Sequence, residues 1–228
     1  MSEEQAAKSS AEVSEAANPL KALWKKFQER RWLSYVTLAV VVAVVGFVSY
    51  RQYRRSQNEE CLREMRFAES YFRQDSFEKA LAGTATAMGF AQLAEAYSYT
   101  EAGNLCRLYA GLCYLRLNKP EAAVEMLAKY EAPDSYLGGI ALGALAGAYA
   151  ELKEFKKAAR CYEKAARLHR NSQTSPLYLI HAGLCYELAE EWEKAASMYE
   201  EITRKYPMAT ESSTAQKHLA RVRTQHAH

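Results

Sequence analysis

The sequence lacks the short motifs by which common enzyme classes are recognised. It contains no His-Glu-x-x-His, Cys-x-x-Cys or Gly-x-Ser-x-Gly pattern and no glycine-rich phosphate loop. Of its five histidines, His226 and His228 lie at the end of the chain, and His169 ends a helical pattern, where a cation suits the helix dipole. We therefore predict a protein that is not an enzyme, with no cofactor and no small-molecule substrate.

Metal ligands are equally sparse. His181 and Cys185 lie four residues apart in a helical pattern, which places both on one face of a helix. A structural metal site needs about four ligands, and no second pair accompanies this one. The sequence therefore predicts no metal site.

Cysteine is present in an odd number, five, so the thiols cannot all pair within one chain. Cys106, Cys113, Cys161 and Cys185 fall within helical patterns, where a small apolar side chain fits. Cys61 follows polar and acidic residues rather than an apolar leader, which argues against a lipoprotein. Unpaired thiols favour a reducing compartment, and whether any of them pair stays open.

Charge is nearly balanced, with a formal net charge of +3. The excess lies beside one apolar run, because residues 21–31 carry five basic side chains against one acidic, and residues 51–55 carry three basic ones. The residues from 56 onward are left with a slight negative balance. That distribution removes the electrostatic argument for nucleic acid as a partner.

Charge is wholly absent from one stretch, residues 32–50, which is 19 residues long. At ~1.5 Å of rise per residue, a helix of this length crosses the apolar core of a bilayer. Arginines flank the stretch, and Trp and Tyr side chains stand at both interfacial levels. The alternatives are a buried helix of a soluble protein and a cleaved signal peptide. The signal peptide fits less well, because the segment before the apolar stretch is long and no cleavage site of the form small-x-small follows it. We predict a retained single-pass transmembrane helix that contacts the lipid bilayer.

The segments on either side of this stretch differ in composition. Residues 1–18 are rich in Ser, Ala and Glu and are predicted to form a disordered tail. Asn18 and Pro19 form a helix-start signal, and residues 19–31 follow with apolar and basic side chains on different faces. This basic amphipathic juxtamembrane helix either lies on anionic lipid or is the start of the membrane helix. Basic residues are nearly equal in number on the two sides, so the positive-inside rule leaves the orientation open.

The rest of the chain repeats itself. The sequence Ala-Gly-Leu-Cys-Tyr occurs at residues 110–114 and again at 182–186, with a more divergent third copy between them. Each copy has a small residue followed three residues later by a tyrosine, and a second segment further along contains an alanine. The small residues are Gly111, Ala146 and Gly183, the tyrosines are Tyr114, Tyr149 and Tyr186, and the alanines are Ala123, Ala158 and Ala195. The tyrosines are 35 and 37 residues apart, and the alanines keep the same intervals. A fixed period of this size predicts a solenoid of helix pairs, in which small residues let neighbouring helices approach closely.

These phrases resemble the tetratricopeptide repeat, which has a small-x-x-Tyr step in its first helix and an aromatic-x-x-Ala step opening its second. The resemblance implies an all-α solenoid of about three and a half helix pairs with a C-terminal capping helix. The predicted boundaries are a weak first repeat at 57–103, three repeats at 104–209, and a capping helix with a frayed tail at 210–228. An insertion into the first repeat is predicted between Ala82 and Gly89.

In tetratricopeptide arrays the first helix of each pair lines a concave groove, so the resemblance implies a partner-binding site there. The predicted residues, called the groove face below, are Leu105, Leu108, Tyr109, Leu112, Leu115, Arg116, Ile140, Gly143, Ala144, Gly147, Ala150, Leu177, Ile180, His181, Leu184 and Leu188, with Glu151 and Glu187 beside them. Leu112, Gly147 and Leu184 stand where arrays that hold charged C-termini present Asn and Lys, which argues against a carboxylate clamp.

We therefore expect an apolar groove, with Gly and Ala at its centre, that binds an amphipathic helix or an extended apolar segment. Gly143 and Gly147 are expected to face out of the stack, so that leucine at either site would leave the fold largely intact. The alternative is that the groove is filled by the chain itself, either by the insert at residues 82–97 or by the terminal helix.

The whole architecture resembles the YfgM-like family of bacterial single-span, membrane-anchored tetratricopeptide proteins, and the segment at residues 100–105 is similar to the version found in Bacteroidetes. The resemblance implies a single-pass protein of the inner (cytoplasmic) membrane with its repeats in the periplasm. It also implies protein partners, namely translocon subunits, a periplasmic foldase such as PpiD, or a client polypeptide. The alternative is a scaffold or assembly subunit of another membrane complex, with repeats that face the cytosol.

Overall fold

The computed structural model describes the backbone of residues 19–168 and 170–225, and the side chains of residue 30, residues 32–168 and residues 170–224. The predictions of a disordered tail at 1–18 and of amphipathic faces on 19–31 lie outside the described side chains. So do the predictions for the last residues of the chain. The described part is all-α, as predicted, with one isolated bridge between Gly83 and Met88.

Ten helices make up the described backbone. They are α1 Pro19–Arg73, α2 Phe77–Ala82, α3 Phe90–Ala96, α4 Glu101–Arg116, α5 Pro120–Ala128, α6 Ser135–Glu151, α7 Phe155–Leu168, α8 Thr174–Leu188, α9 Trp192–Lys205 and α10 Glu211–Gln225. The chain divides into two compact units between Tyr53 and Arg54. The second unit begins at Arg54, so it includes the C-terminal part of α1 and all later helices, and it is called the repeat unit below.

Helix α1 contains the apolar stretch. Every residue from Trp32 to Tyr50 is exposed, and an 18-residue window of this helix has a mean hydropathy of 2.1 with none of it buried. By length and composition the helix is a candidate membrane anchor. The backbone of residues 19–31 continues into it without a break, so the juxtamembrane segment is the first part of the same helix.

In the repeat unit, consecutive helices pack as antiparallel pairs because the links between them are short. The pairs are α4 with α5, α6 with α7, and α8 with α9. Side chains at two of the first helices supply the caps: the Thr100 hydroxyl accepts from Gly103 N at 3.0 Å, and Asp134 Oδ1 accepts from Leu137 N at 2.8 Å. Pro120 opens α5 at a position where its missing N–H costs nothing.

Every first helix ends in the same motif. Asn118, Lys153 and Glu190 follow α4, α6 and α8 with φ of 55°, 59° and 59°. In each case the N–H of the following residue donates to the carbonyl of the repeated tyrosine at 2.9 Å, as in the Schellman motif. The tyrosine of the repeat therefore has a backbone role at the helix end as well as a packing role.

The left-handed residue at this turn gives a first testable prediction. A residue with a Cβ loses about 1 kcal/mol in the left-handed region, and asparagine loses less than lysine. Lys153→Gly should therefore raise the thermal midpoint of the protein in detergent by about 3 °C. Asn118→Gly is the matched control and should give a clearly smaller rise, so equal rises in the two variants would contradict the explanation.

Small residues bring the paired helices together. A Cβ at Gly111 would lie 2.5 Å from Leu127, and one at Gly183 would lie 2.4 Å from the Tyr199 ring. Both neighbours are buried, so the close approach of the helices requires glycine at these two sites. The middle copy has Ala146 at the equivalent site. Tyr162, which is equivalent to Leu127 and Tyr199 in the second helix, is only half-buried there.

The first repeat is interrupted as its length suggests. Helix α2 ends at Ala82 and α3 begins at Phe90, so the second helix of this repeat is split by residues 83–89. Gly83 permits the break, because its φ of 82° is strained for other residues. Phe90 and Leu93 of α3 are then fully buried against the end of α1 and against α4.

Candidate functional site

Two residues of the predicted groove face lie in the core instead. Leu108 is 4% exposed and packs with Ala123 and Leu127 of the second helix of its repeat. Ile180 is 7% exposed and belongs to the cluster that contains Tyr199. The prediction that these two side chains line a groove is therefore wrong, because helical periodicity assigns a side of the helix but not its depth in the stack.

The other fourteen groove-face residues retain contact with solvent. Four are exposed: Arg116, Leu177, His181 and Leu188. Ten are partly exposed: Leu105, Tyr109, Leu112, Leu115, Ile140, Gly143, Ala144, Gly147, Ala150 and Leu184. A row of leucines on α4 and α8 is thus available, with the small residues of α6 between them.

The centre of the groove face is aromatic rather than a floor of Gly and Ala. The Tyr178 ring of α8 covers Gly143, since a Cβ at Gly143 would lie 2.6 Å from a ring carbon. Tyr162 lies 6.3 Å from Tyr178 and 5.3 Å from the His181 ring, in stacked orientation. Gly143 therefore does not face freely out of the stack, and leucine there would have to displace Tyr178. At Gly147 the Tyr162 hydroxyl would meet a Cβ at an ordinary 3.6 Å.

Other parts of the chain contact the groove face at Tyr109 and its edge at Glu187. Phe90 of the insert stacks on Tyr109 with ring centres 4.8 Å apart, and Phe72 meets the same ring edge-on at 5.4 Å. At the other end, α10 brings His218 and Arg221 onto Glu187. The insert thus contacts Tyr109 of the groove face, and the terminal helix contacts Glu187 beside it.

An open cleft of about 750 Å³ is lined in part by Leu105, the first residue of the groove face. It is called the leucine cleft here, because Leu62 of α1, Leu105 of α4 and Leu137 of α6 line it. Its polar lining comes from Arg54, Asn58, Ser98, Tyr99, Thr100, Glu101, Asn104, Arg107, Tyr130 and Glu131, with Ala102, Ala132 and Pro133 completing it. The cleft thus combines leucines from three helices with two arginines and two glutamates.

Hydrogen bonds hold the walls of the leucine cleft in place. The Arg54 guanidinium donates to the Tyr99 carbonyl at 2.5 Å, and the Arg107 guanidinium donates to the Ser98 carbonyl at 2.9 Å. The Asn104 amide pairs with the backbone of Glu131 in both directions, at 2.6 and 3.0 Å. Each guanidinium has further N–H groups, so the walls can still donate to carbonyl or carboxylate oxygens of a bound polypeptide.

Tyr130 is the one orphan in this lining. Its hydroxyl is buried and has no hydrogen-bond partner among the described residues. Burial, and then the nearby charge of Asp134, raise the pKa of Tyr130, so the hydroxyl stays protonated. A buried donor without a hydrogen-bond partner costs stability.

Sequence analysis missed most of the leucine cleft. Part of its lining lies in the links before α4 and α6, and the rest comes from the end of α1 and the first turns of α4 and α6, outside the periodic phrases of the repeat. One signal was present: Arg54, Asn58 and Leu62 are spaced by four along α1, which places them on one face. Leu105 alone was predicted, as the first residue of the groove face.

His181 and Cys185, the two residues considered as metal ligands, are not both exposed. His181 stacks on Tyr162, whereas Cys185 is buried, and burial raises the pKa of its thiol to about 11. Among the described residues, no group of three or more His, Cys, Asp or Glu side chains is placed to hold a metal ion. The five cysteines are free thiols, and Cys161 is the most accessible of them.

Comparison with known families identifies the repeats. One model of the tetratricopeptide repeat matches residues 106–135 and 178–207, and a second model of the same repeat matches residues 141–174. No curated protein sequence matches the chain. The matched segments overlap the pairs α4 with α5, α6 with α7, and α8 with α9. The chain therefore contains three tetratricopeptide repeats, a module that generally binds other proteins and is generally not an enzyme.

Proposed function

We propose that this chain is a membrane-anchored adaptor whose repeats bind a polypeptide through the leucine cleft and the open part of the groove face. The observation that carries the proposal is the leucine cleft, since leucines from three helices remain accessible in it beside unused arginine donors. A bound segment with apolar side chains would cover the leucines, and its carbonyl oxygens would accept from Arg54 and Arg107. The apolar stretch of α1 would hold the adaptor at a bilayer.

The partner that we propose is the Sec translocon together with a periplasmic chaperone or foldase. Support comes from the order of parts, a short tail, one apolar span and a repeat array, which resembles the YfgM-like family. In this reading the repeats lie on the periplasmic side of the inner membrane. The adaptor would keep a foldase, or the emerging client chain, close to the translocon.

Site-specific photo-crosslinking in cells tests this function. A benzophenone amino acid at Leu188, on the groove face, or at Leu62, in the leucine cleft, should form adducts with a translocon subunit, the foldase or a secretory chain. Leu168 is the matched control, because it is a comparably exposed leucine on a second helix. Adducts of equal yield at Leu168, or adducts that contain none of these proteins, would contradict the proposal.

A second candidate function is a scaffold of another membrane complex with its repeats in the cytosol. The free thiols favour it, because Cys61, Cys106, Cys113 and Cys185 are all buried and unpaired, as in proteins of reducing compartments. The same burial simplifies a test of orientation, since Cys161 alone needs replacement before a new thiol is introduced. Labelling of Ser197→Cys, but not of Glu3→Cys, by an impermeant reagent in intact spheroplasts would support the periplasmic reading, and the reverse result would support the scaffold.

A further inference from the structure

Helix α7 carries an unusual concentration of positive charge. Residues 153–170 contain seven Lys or Arg side chains and two Glu side chains, although the repeat unit as a whole is close to neutral. Five of the seven recur at spacings of one, three and four residues, which places them on one face of α7. These five, called the basic face below, are Lys156, Lys157, Arg160, Lys164 and Arg167, and all are exposed.

The opposite side of α7 is fixed in the core. Ala158, Ala159, Ala165 and Ala166 are at most 3% exposed and pack between α6 and α8. The basic face is therefore held outward by the fold and is not available to the interior. Because α7 is the second helix of its pair, the basic face is also separate from the groove face on the first helices.

Ion pairs within the unit leave this charge accessible. Lys156 pairs with Glu191 at 3.3 Å, Arg167 pairs with Glu163 at 2.6 Å, and Lys157 pairs with Glu154. The three basic side chains remain more than half exposed, so these pairs are weak and exchange easily with other anions. Arg160 and Lys164 have no ion-pair partner among the residues that the structure describes.

We propose that the basic face binds the anionic headgroups of a phospholipid bilayer. The centre of the face consists of Lys and Arg side chains, and exposed Leu168 lies only at its C-terminal edge, whereas a protein interface normally has an apolar anchor at its centre. A headgroup layer requires charge alone, and clusters of Lys and Arg near a membrane are attracted to it. The inference rests on the anchoring proposed above, because a tether to the bilayer raises the effective concentration of headgroups around the repeat unit.

Nanodiscs and vesicles test the anchor and the basic face separately. The full chain is first reconstituted in phosphatidylcholine nanodiscs, and failure to incorporate would count against the anchor alone. The loaded nanodiscs are then mixed with fluorescent vesicles, and capture is measured with and without phosphatidylglycerol in the vesicle. We expect capture only by the phosphatidylglycerol vesicles, and we expect it to fall as salt is raised.

The double variant Arg160→Gln with Lys164→Gln should weaken this capture by roughly thirtyfold, since each basic side chain near an anionic surface contributes about a fivefold factor. The double variant Arg204→Gln with Lys217→Gln is the control, because it removes the same charge from exposed sites on α9 and α10. Equal losses in the two variants would attribute capture to net charge and overturn the proposal. Unchanged vesicle capture, with loss of binding to an RNA homopolymer, would instead assign the basic face to nucleic acid.

Discussion

Replacing Gly103 with alanine will destabilise the repeat unit by about 3 kcal/mol, at the upper end of the cost of overpacking. A Cβ at this site would lie 2.0 Å from the Tyr97 carbonyl oxygen and 2.5 Å from its carbonyl carbon. That carbonyl cannot move aside, because Thr100 N and the Thr100 hydroxyl both donate to it at 2.9 Å. Relief of the clash would require α4 to shift away from the link that precedes it.

The measurement is thermal or denaturant unfolding of the full chain in detergent, with an expected fall of the midpoint by about 10 °C. Gly139→Ala is the matched control, because Gly139 is also a buried helical glycine but a Cβ there meets only the Ala165 carbonyl oxygen at 3.8 Å. Alanine is the better helix former by about 1 kcal/mol, so the control should be neutral or slightly stabilised. Similar midpoints for the two variants would show that α4 does not depend on this contact.

The repeats could be predicted because their signal is local and periodic. Gly111 and Gly183 are required by side chains in the partner helix of the same repeat, and that partner is the next helix along the chain. The Schellman motif at Asn118, Lys153 and Glu190 likewise depends on neighbours along the chain. Sequence spacing therefore contains the information needed for the helix pairs.

The candidate site could be predicted only in part, because its decisive contacts come from outside the period. Tyr178 lies in α8, yet its ring covers Gly143 of α6 in the preceding repeat. Phe90 comes from the insert in the first repeat and stacks on Tyr109. The leucine cleft is lined in part by Tyr99 and Tyr130, which lie in links whose course no repeated phrase specifies. The period of the repeat predicts which side of a helix a residue occupies, whereas the side chains that cover this residue depend on tertiary packing.

One carboxylate joins the last three helices. Glu187 of α8 accepts from the Tyr199 hydroxyl of α9 at 2.6 Å and lies 3.1 Å from His218 Nδ1 of α10. The Arg221 guanidinium of α10 also donates to it. The Glu187 side chain is only 12% exposed, and the Tyr199 ring that it anchors is fully buried beneath a stacked His218 ring. Beside the apolar packing of Ala215 and Val222, a single buried acceptor thus links the capping helix to both helices of the last repeat.

Glu187→Gln should lower stability at neutral pH by about 2 kcal/mol, because hydrogen bonds to a charged acceptor are stronger than those to an amide. Burial alone would raise the pKa of Glu187, but hydrogen bonds from Tyr199, Arg221 and His218 outweigh it and hold this pKa below its usual value of 4.5. A depressed pKa in the folded state adds stability above the unfolded pKa and loses it as the pH falls through the folded pKa. The stability difference between wild type and variant should therefore shrink as the pH drops below about 4.5.

The comparison requires unfolding curves of the full chain in detergent from neutral pH down to the acid range. Glu193→Gln is the control, since Glu193 is exposed and has no ion pair with the other residues that the structure describes. That variant should lose at most the roughly 0.3–1 kcal/mol that a carboxylate contributes in the first turn of α9, whereas Glu187→Gln should start clearly lower and converge with the wild type in acid. A constant gap between Glu187→Gln and wild type would mean that the carboxylate does not titrate with folding. The capping helix would then be held by the packing of Ala215, Leu219 and Val222 and by the Arg223–Glu200 ion pair.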